Sequence, residues 1–202
     1  MRYFTIAIIF MLLLLTSCSQ EDEAGEKSDA VIKEAELTKF ERQFVDITDY
    51  KTIAFDIDIH NKDVKELQTK VDYYENGKHK SQVTKSITRI SDKEQKGVVR
   101  TLFLRRPKDE NQEQWITSVI TKNGYTTAKA TNEIKDREKL DSSGWGGISS
   151  PTNIEIGEEK IIATIVHTAE NELTIYENIE TKEDLKRATD YEQVYLISAR
   201  LN

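Results

Sequence analysis

Cys18 is the only cysteine among the 202 residues. A lone thiol can serve as a nucleophile, a metal ligand or the acceptor of a covalent group, and this one stands just after the apolar run 6–15. Asp56, Asp58 and His60 form a second set, because i, i+2 and i+4 project to one side of a strand and such donors suit a divalent cation. The alternate positions Ile53, Phe55, Ile57 and Ile59 are apolar. The three polar side chains are therefore read as the solvated face of that strand, and no metal site is expected. His79 lies between Lys78 and Lys80 at a turn and His167 ends an apolar run; neither has a second His or Cys at ligand spacing.

Trp145 is the candidate for ligand binding. Gly144, Gly146 and Gly147 flank it within the irregular stretch 139–155, where backbone freedom lets an amphipathic ring reach a ligand or fold back as a plug on the domain. Arg105-Arg106-Pro107-Lys108 is a basic cluster suited to phosphates or lipid headgroups. Asp109 and Glu110 follow at once, so a solvated turn is the simpler reading. No Gly-x-Ser-x-Gly elbow, phosphate-binding glycine loop or His-Glu-x-x-His occurs. No catalytic residue is assigned, and no cofactor is expected.

The N-terminus reads as an export signal. Arg2 supplies a thin positive region, and the apolar run 6–15 is of signal-peptide length, well short of the roughly 20 residues that a spanning helix needs. Leu15-Thr16-Ser17-Cys18 then resembles the lipobox of bacterial lipoproteins: a branched apolar residue, two small residues and the cysteine. The resemblance covers only the first eighteen residues. It implies a cleaved signal peptide over 1–17, a diacylglyceryl thioether on Cys18, and a place on the extracytoplasmic side of the cell membrane. Gln20-Glu21-Asp22-Glu23 is similar to the acidic surface-export signal of some outer-membrane lipoproteins, which makes the outer-membrane surface the alternative. Two acyl chains hold a protein where one is marginal.

Residues 18–36 are read as the lipidated cysteine and an acidic flexible tether. The part up to Asp29 is acidic and lacks aromatics, and a coil over 19–36 has a mean reach of about 25 Å. The net charge is −7, and losing Arg2 with the signal peptide makes it −8. That balance argues against a nucleic-acid partner. A net acidic chain is also repelled by an anionic membrane, which favours a domain standing off on its tether.

The body, 37–202, has the length of one ordinary domain. Period-2 alternation is clearest over 52–60, and similar β-rich runs cover 67–75, 98–105, 115–122, 161–168 and 191–201. A first strand is placed near 37–45, although Ile32, Ala35, Phe40 and Phe44 also fit a helical spacing. Asn76-Gly77 marks a hairpin, and keeping Val71, Tyr73 and Val83 on one face favours a three-residue loop, Glu75-Asn76-Gly77, with a bulge at Gly77. Asn123-Gly124 marks another hairpin, and Ala169-Glu170-Asn171 is taken as a third. Thr181 and Asp184 signal a capped helical turn.

These elements predict an all-β fold: an antiparallel β-sandwich of immunoglobulin-like character, about nine or ten strands with one short helical crossover. A closed barrel is the alternative. The expected role is a non-catalytic binding module of the bacterial envelope, held by the membrane through its diacylglyceryl cysteine and recognising an unidentified protein or wall polymer. An envelope hydrolase without a linear motif would bring carboxylates or histidines together in a cleft. A structural subunit of an envelope assembly would expose a large apolar patch.

Overall fold

Alternation of apolar and polar side chains dictates two half-buried sheets that close on one another. The computed structural model describes residues 28–48, 50–91, 97–109, 111–134 and 139–202. The expected signal peptide over 1–17, with its lipobox-like end, Cys18 and residues 19–27 lie outside the described residues. Eleven strands run in chain order: β1 (Ala30–Glu34), β2 (Lys51–Ile59), β3 (Glu66–Glu75), β4 (Lys78–Arg89), β5 (Gly97–Asp109), β6 (Gln112–Thr121), β7 (Gly124–Glu133), β8 (Ser142–Gly147), β9 (Thr152–Ile154), β10 (Glu159–Thr168) and β11 (Gln193–Leu201). Helix α1 (Lys39–Thr48) precedes β2, and α2 (Lys182–Ala188) precedes β11.

One sheet has the order β7-β6-β5-β2-β1-β9 and the other β4-β3-β11-β10-β8. Every ladder is antiparallel, which makes the molecule the expected all-β sandwich. Between the sheets lie Phe55, Ile57, Phe103 and Trp115 from one side and Leu67, Val71, Tyr195 and Ile197 from the other. A second, smaller core sits on the outside of the five-stranded sheet, where Ile179 and Ala188 cover Val166, Val194 and Leu196.

Several local expectations are corrected. Residues 37–45 do not form the first strand; most of them belong to α1. Thr38 and Glu41 close a reciprocal cap, with the Glu41 carboxylate accepting from the Thr38 amide at 2.7 Å and the Thr38 hydroxyl accepting from the Glu41 amide at 3.2 Å. The first strand is β1, inside the stretch 18–36 assigned to the tether. It is wedged between β2 and β9, and it buries Ala30 and Ile32 completely.

The β3–β4 hairpin has a two-residue loop, not three. Glu75 opposes Lys78, and Asn76 and Gly77 both take positive φ, 49° and 75°, the signature of a type I′ turn. Two bulges correct the register instead. The ladder skips Lys80 and Val83, since Tyr74 opposes His79, Tyr73 opposes Ser81, Asp72 opposes Gln82 and Val71 opposes Thr84. In the next hairpin Thr121 opposes Gly124, so Lys122-Asn123 is the loop and Gly124 opens β7.

No third hairpin forms at Ala169-Glu170-Asn171. The chain leaves β10 and runs as an irregular strap over 169–181 before α2, whose Thr181–Asp184 capping box is as expected. The stretch 139–155, expected to be irregular, contains β8 and β9. The count is therefore eleven strands and two helices among the described residues. None of their helices is long and apolar enough to cross a membrane.

Candidate functional site

The sequence Ser142-Ser143-Gly144-Trp145-Gly146-Gly147 forms β8, an edge strand paired with β10. Its glycines provide space, not backbone freedom: among the described residues, positive φ at glycine is confined to Gly77, Gly124 and Gly157. A Cβ on Gly144 would stand 2.6 Å from Leu173 Cδ1, and one on Gly146 would stand 2.5 Å from Ile175 Cγ2. Both faces of β8 are thus set by packing, with the strap lying on its outer face. On the inner face a Cβ at Gly147 would come within 3.1 Å of the Phe55 ring.

Alternation sends Trp145 to the side opposite the strap. It opposes Ile165, a core residue, and Ser143 opposes His167. Because β8 is the last strand of its sheet, the Trp145 ring reaches past the core and stays 52% exposed. It is neither on a free loop nor a buried plug. The ring stands on the lip of a cleft of about 380 Å³ whose walls come from the α1–β2 junction (Asp46, Tyr50, Lys51), from Arg105 on β5 and from His167 on β10.

The floor of this cleft rests on a buried ion pair. Arg105 is 7% exposed, and its Nε donates to Oε2 of the fully buried Glu113. The other Glu113 oxygen accepts from Trp115 Nε1 at 2.7 Å. The Arg105 guanidinium lies over the Tyr195 ring, 5.4 Å from its centroid, and Asn132 Nδ2 donates to the Tyr195 hydroxyl at 3.0 Å. Burial first, and then the Glu113 charge, push the Tyr195 hydroxyl far above the ordinary tyrosine range, so it remains protonated. A carboxylate with both oxygens occupied and a guanidinium stacked on a ring form a rigid base for the cleft.

The other sequence candidates are dispersed. Asp56 holds Arg100 through two bonds of 2.8 and 3.0 Å, while Asp58 lies 3.5 Å from His60. Among the described residues no three His, Cys, Asp or Glu side chains are grouped to hold a metal. His79 contacts Asp72 at 3.1 Å and packs edge-on against Tyr74, next to the Lys70 ion pairs with Asp72 and Glu159. The basic cluster 105–108 splits: Arg105 goes inward, Arg106 lies over the Tyr50 ring at 5.2 Å, and Lys108 reaches Gln112. Asp29, Asp184 and Glu41, whose pKa values the fold lowers, serve caps and turns. Asp29 is held down by Asn61 and then the Ile156 amide, Asp184 by Thr181, and Glu41 by Thr38 ahead of Arg100.

Sequence reading missed the buried Arg105–Glu113 pair. The signal was the phase of Glu113, two residues before Trp115 and on the same side as Thr117 and Val119.

The described domain matches one family almost from end to end, over residues 31–201. The chain belongs to the YgaN domain family. The YgaN match opens on the second residue of β1 and closes on the last of β11, so it takes in both sheets, α1 and every wall of the Trp145 cleft. No curated protein and no solved structure matches the chain.

Proposed function

We propose that this protein is a lipid-anchored, non-catalytic recognition module of a bacterial cell envelope, tethered through Cys18 and binding a wall-polymer segment in the Trp145 cleft. The observation that carries this reading is the half-exposed Trp145 ring on a strand fixed from both faces. A preorganised aromatic platform loses little entropy on binding. A sugar ring offers it an apolar face, and Lys51, Ser143 and Arg105 line the same cleft as polar partners for hydroxyls and acidic groups. The lipobox supports the anchor and the compartment. Asp29, Glu41 and Asp184, whose lowered pKa values keep them ionised, stand in caps and turns, which favours binding over acid–base chemistry.

Tryptophan emission tests the reading directly. Trp115 is fully buried, so a response to solubilised wall glycan reports Trp145. The mature chain should bind the glycan with a shift in emission, and Trp145→Ala should lose both the shift and the capture. Undiminished capture by Trp145→Ala would sink the cleft. Separately, Cys18→Ser should remove the protein from the membrane fraction, and normal acylation of that variant would refute the lipobox.

A further inference from the structure

Helix α1 does not bury its most apolar stripe. Glu41 reaches over the six-stranded sheet to Arg100, whereas Phe40, Phe44 and Ile47, at i, i+4 and i+7, are 75%, 57% and 82% exposed. Beside this stripe the outer face of the sheet is apolar as well. Leu104 opposes Ile116 and Ile120 opposes Tyr125 across neighbouring strands, and these side chains point away from the sandwich core. Helix flank and sheet face together enclose a groove of about 300 Å³ with Phe40, Phe44, Leu102 and Leu104 in its walls. Tyr125, 78% exposed, extends the apolar surface across β7.

Two observations bear on what covers it. The first is charge: in a chain of net −7, this face gathers cations. Lys39 and Arg42 stand on α1, Lys129 opposes Ile116, and Lys122 lies in the turn after Ile120. Glu41, the carboxylate in the wall of the groove, is held by Arg100, which also holds Asp56. An apolar centre with a basic rim matches an anionic lipid surface.

The second is the length of chain back to the anchor. Cys18 precedes Ser28, the first described residue, by ten positions, a span of at most about 36 Å. From there β1 enters at Ala30, which opposes Ile59; Ile59 in turn opposes Gly97. The groove residues of β5, 100–104, begin three positions beyond Gly97 and end seven beyond it, or about 10 to 24 Å along the strand. A membrane that holds Cys18 is therefore within reach of the groove.

We infer that this groove takes alkyl chains of the anionic phospholipid leaflet in which Cys18 is anchored, with Lys39, Arg42, Lys122 and Lys129 on the headgroups. This rests on the anchored reading above. The domain then lies on the outer face of its six-stranded sheet, its acidic remainder turned away from the lipid. Val45, Tyr50 and Thr52 line both this groove and the Trp145 cleft, so the cleft opens next to the membrane surface.

A spin label on Ile47→Cys tests this in the mature, lipidated chain reconstituted in phosphatidylglycerol–phosphatidylcholine vesicles. The Cys18 sulfur is consumed by its thioether, which leaves the new thiol as the only one to label. Collisions with oxygen, which concentrates in lipid, should exceed collisions with an aqueous nickel chelate, and a label on Glu170→Cys should show the reverse. Replacing phosphatidylglycerol by phosphatidylcholine should abolish the difference at Ile47. If the protein floats with the vesicles while the Ile47 label stays open to the chelate, docking is wrong and the anchor stands. Failure to float at all removes the anchor, and the proposal with it. Shielding from both reagents, with cross-links that grow with protein concentration, would assign the groove to a second copy and overturn the lipid assignment.

Discussion

Glu113→Gln removes one charge from the floor of the cleft and almost no volume. The glutamine oxygen still accepts from Trp115 Nε1, so the change is confined to the contact with Arg105. With the Glu113 side chain fully buried and that of Arg105 9% exposed, water replaces little of what is lost. Breaking a buried pair from one side costs about 3–5 kcal/mol, because the remaining charge is left uncompensated. In urea, with a slope of about 2 kcal/mol per molar, the unfolding midpoint should fall by about 2 M.

The double variant Arg105→Met, Glu113→Gln is the control. It has no buried charge at either position and keeps the acceptor for Trp115, so it should be more stable than the sum of the single changes implies, with a coupling of about 2–3 kcal/mol. Urea unfolding followed by circular dichroism gives all four corners of the cycle. A Glu113→Gln variant within about 1 kcal/mol of the parent would refute the buried ion pair, and so would additivity of the two single changes.

Gly146→Ala places a methyl group against Ile175 Cγ2; forcing extra volume into a packed contact costs about 1–3 kcal/mol. Limited proteolysis should cut within 169–181 sooner than in the parent, and an unchanged digestion rate would mean that the strap does not depend on the glycine. Thr38→Ala removes the N-cap of α1 and should cost about 1 kcal/mol, read as a lower melting temperature at neutral pH. The same variant should alter the acid response. The Thr38 amide first, then the Thr38 hydroxyl that this variant removes, and then Arg100 hold the pKa of folded Glu41 below its ordinary value of 4.5, so this stabilisation is present above pH 4.5 and fades as pH falls through the lower folded value. Melting temperature plotted against pH should therefore be flatter below pH 4.5 in Thr38→Ala than in the parent.

The central strands could be read from the chain because each has one dry face. Ile53, Phe55, Ile57 and Ile59 point into the core as their spacing requires, and Asp56 on the other side finds Arg100. Helix α1 was also marked, by Thr38 and Glu41 three residues apart, but its apolar residues compete with a strand reading when the cap is overlooked. The short β1 has no comparable mark. Its five residues alternate over too few positions to stand out from an acidic segment, and they are held by neighbours on both sides that arrive later in the chain. The β3–β4 loop was misjudged for a related reason: register arguments assume an unbroken ladder, and the two bulges are invisible until the strands are paired.

The glycines around Trp145 show where sequence reasoning about a site stops. Glycine permits both unusual backbone angles and close approach of other atoms, and the sequence does not distinguish them. Here the answer depends on Leu173 and Ile175, almost thirty positions away, which rest where a Cβ on Gly144 or Gly146 would stand. Glu113 differs, because its partner Arg105 lies eight residues back and the two strands form a tight hairpin. Reading β6 from Trp115 begins too late to include it; reading from Gln112 puts a carboxylate in phase with Trp115, Thr117 and Val119. A charge at an inward position of a regular strand requires a buried partner, and the cation that meets it must come from a strand whose alternation is also inward there. Arg105, in phase with Phe103 and Thr101 on the strand before, is the residue that satisfies both conditions.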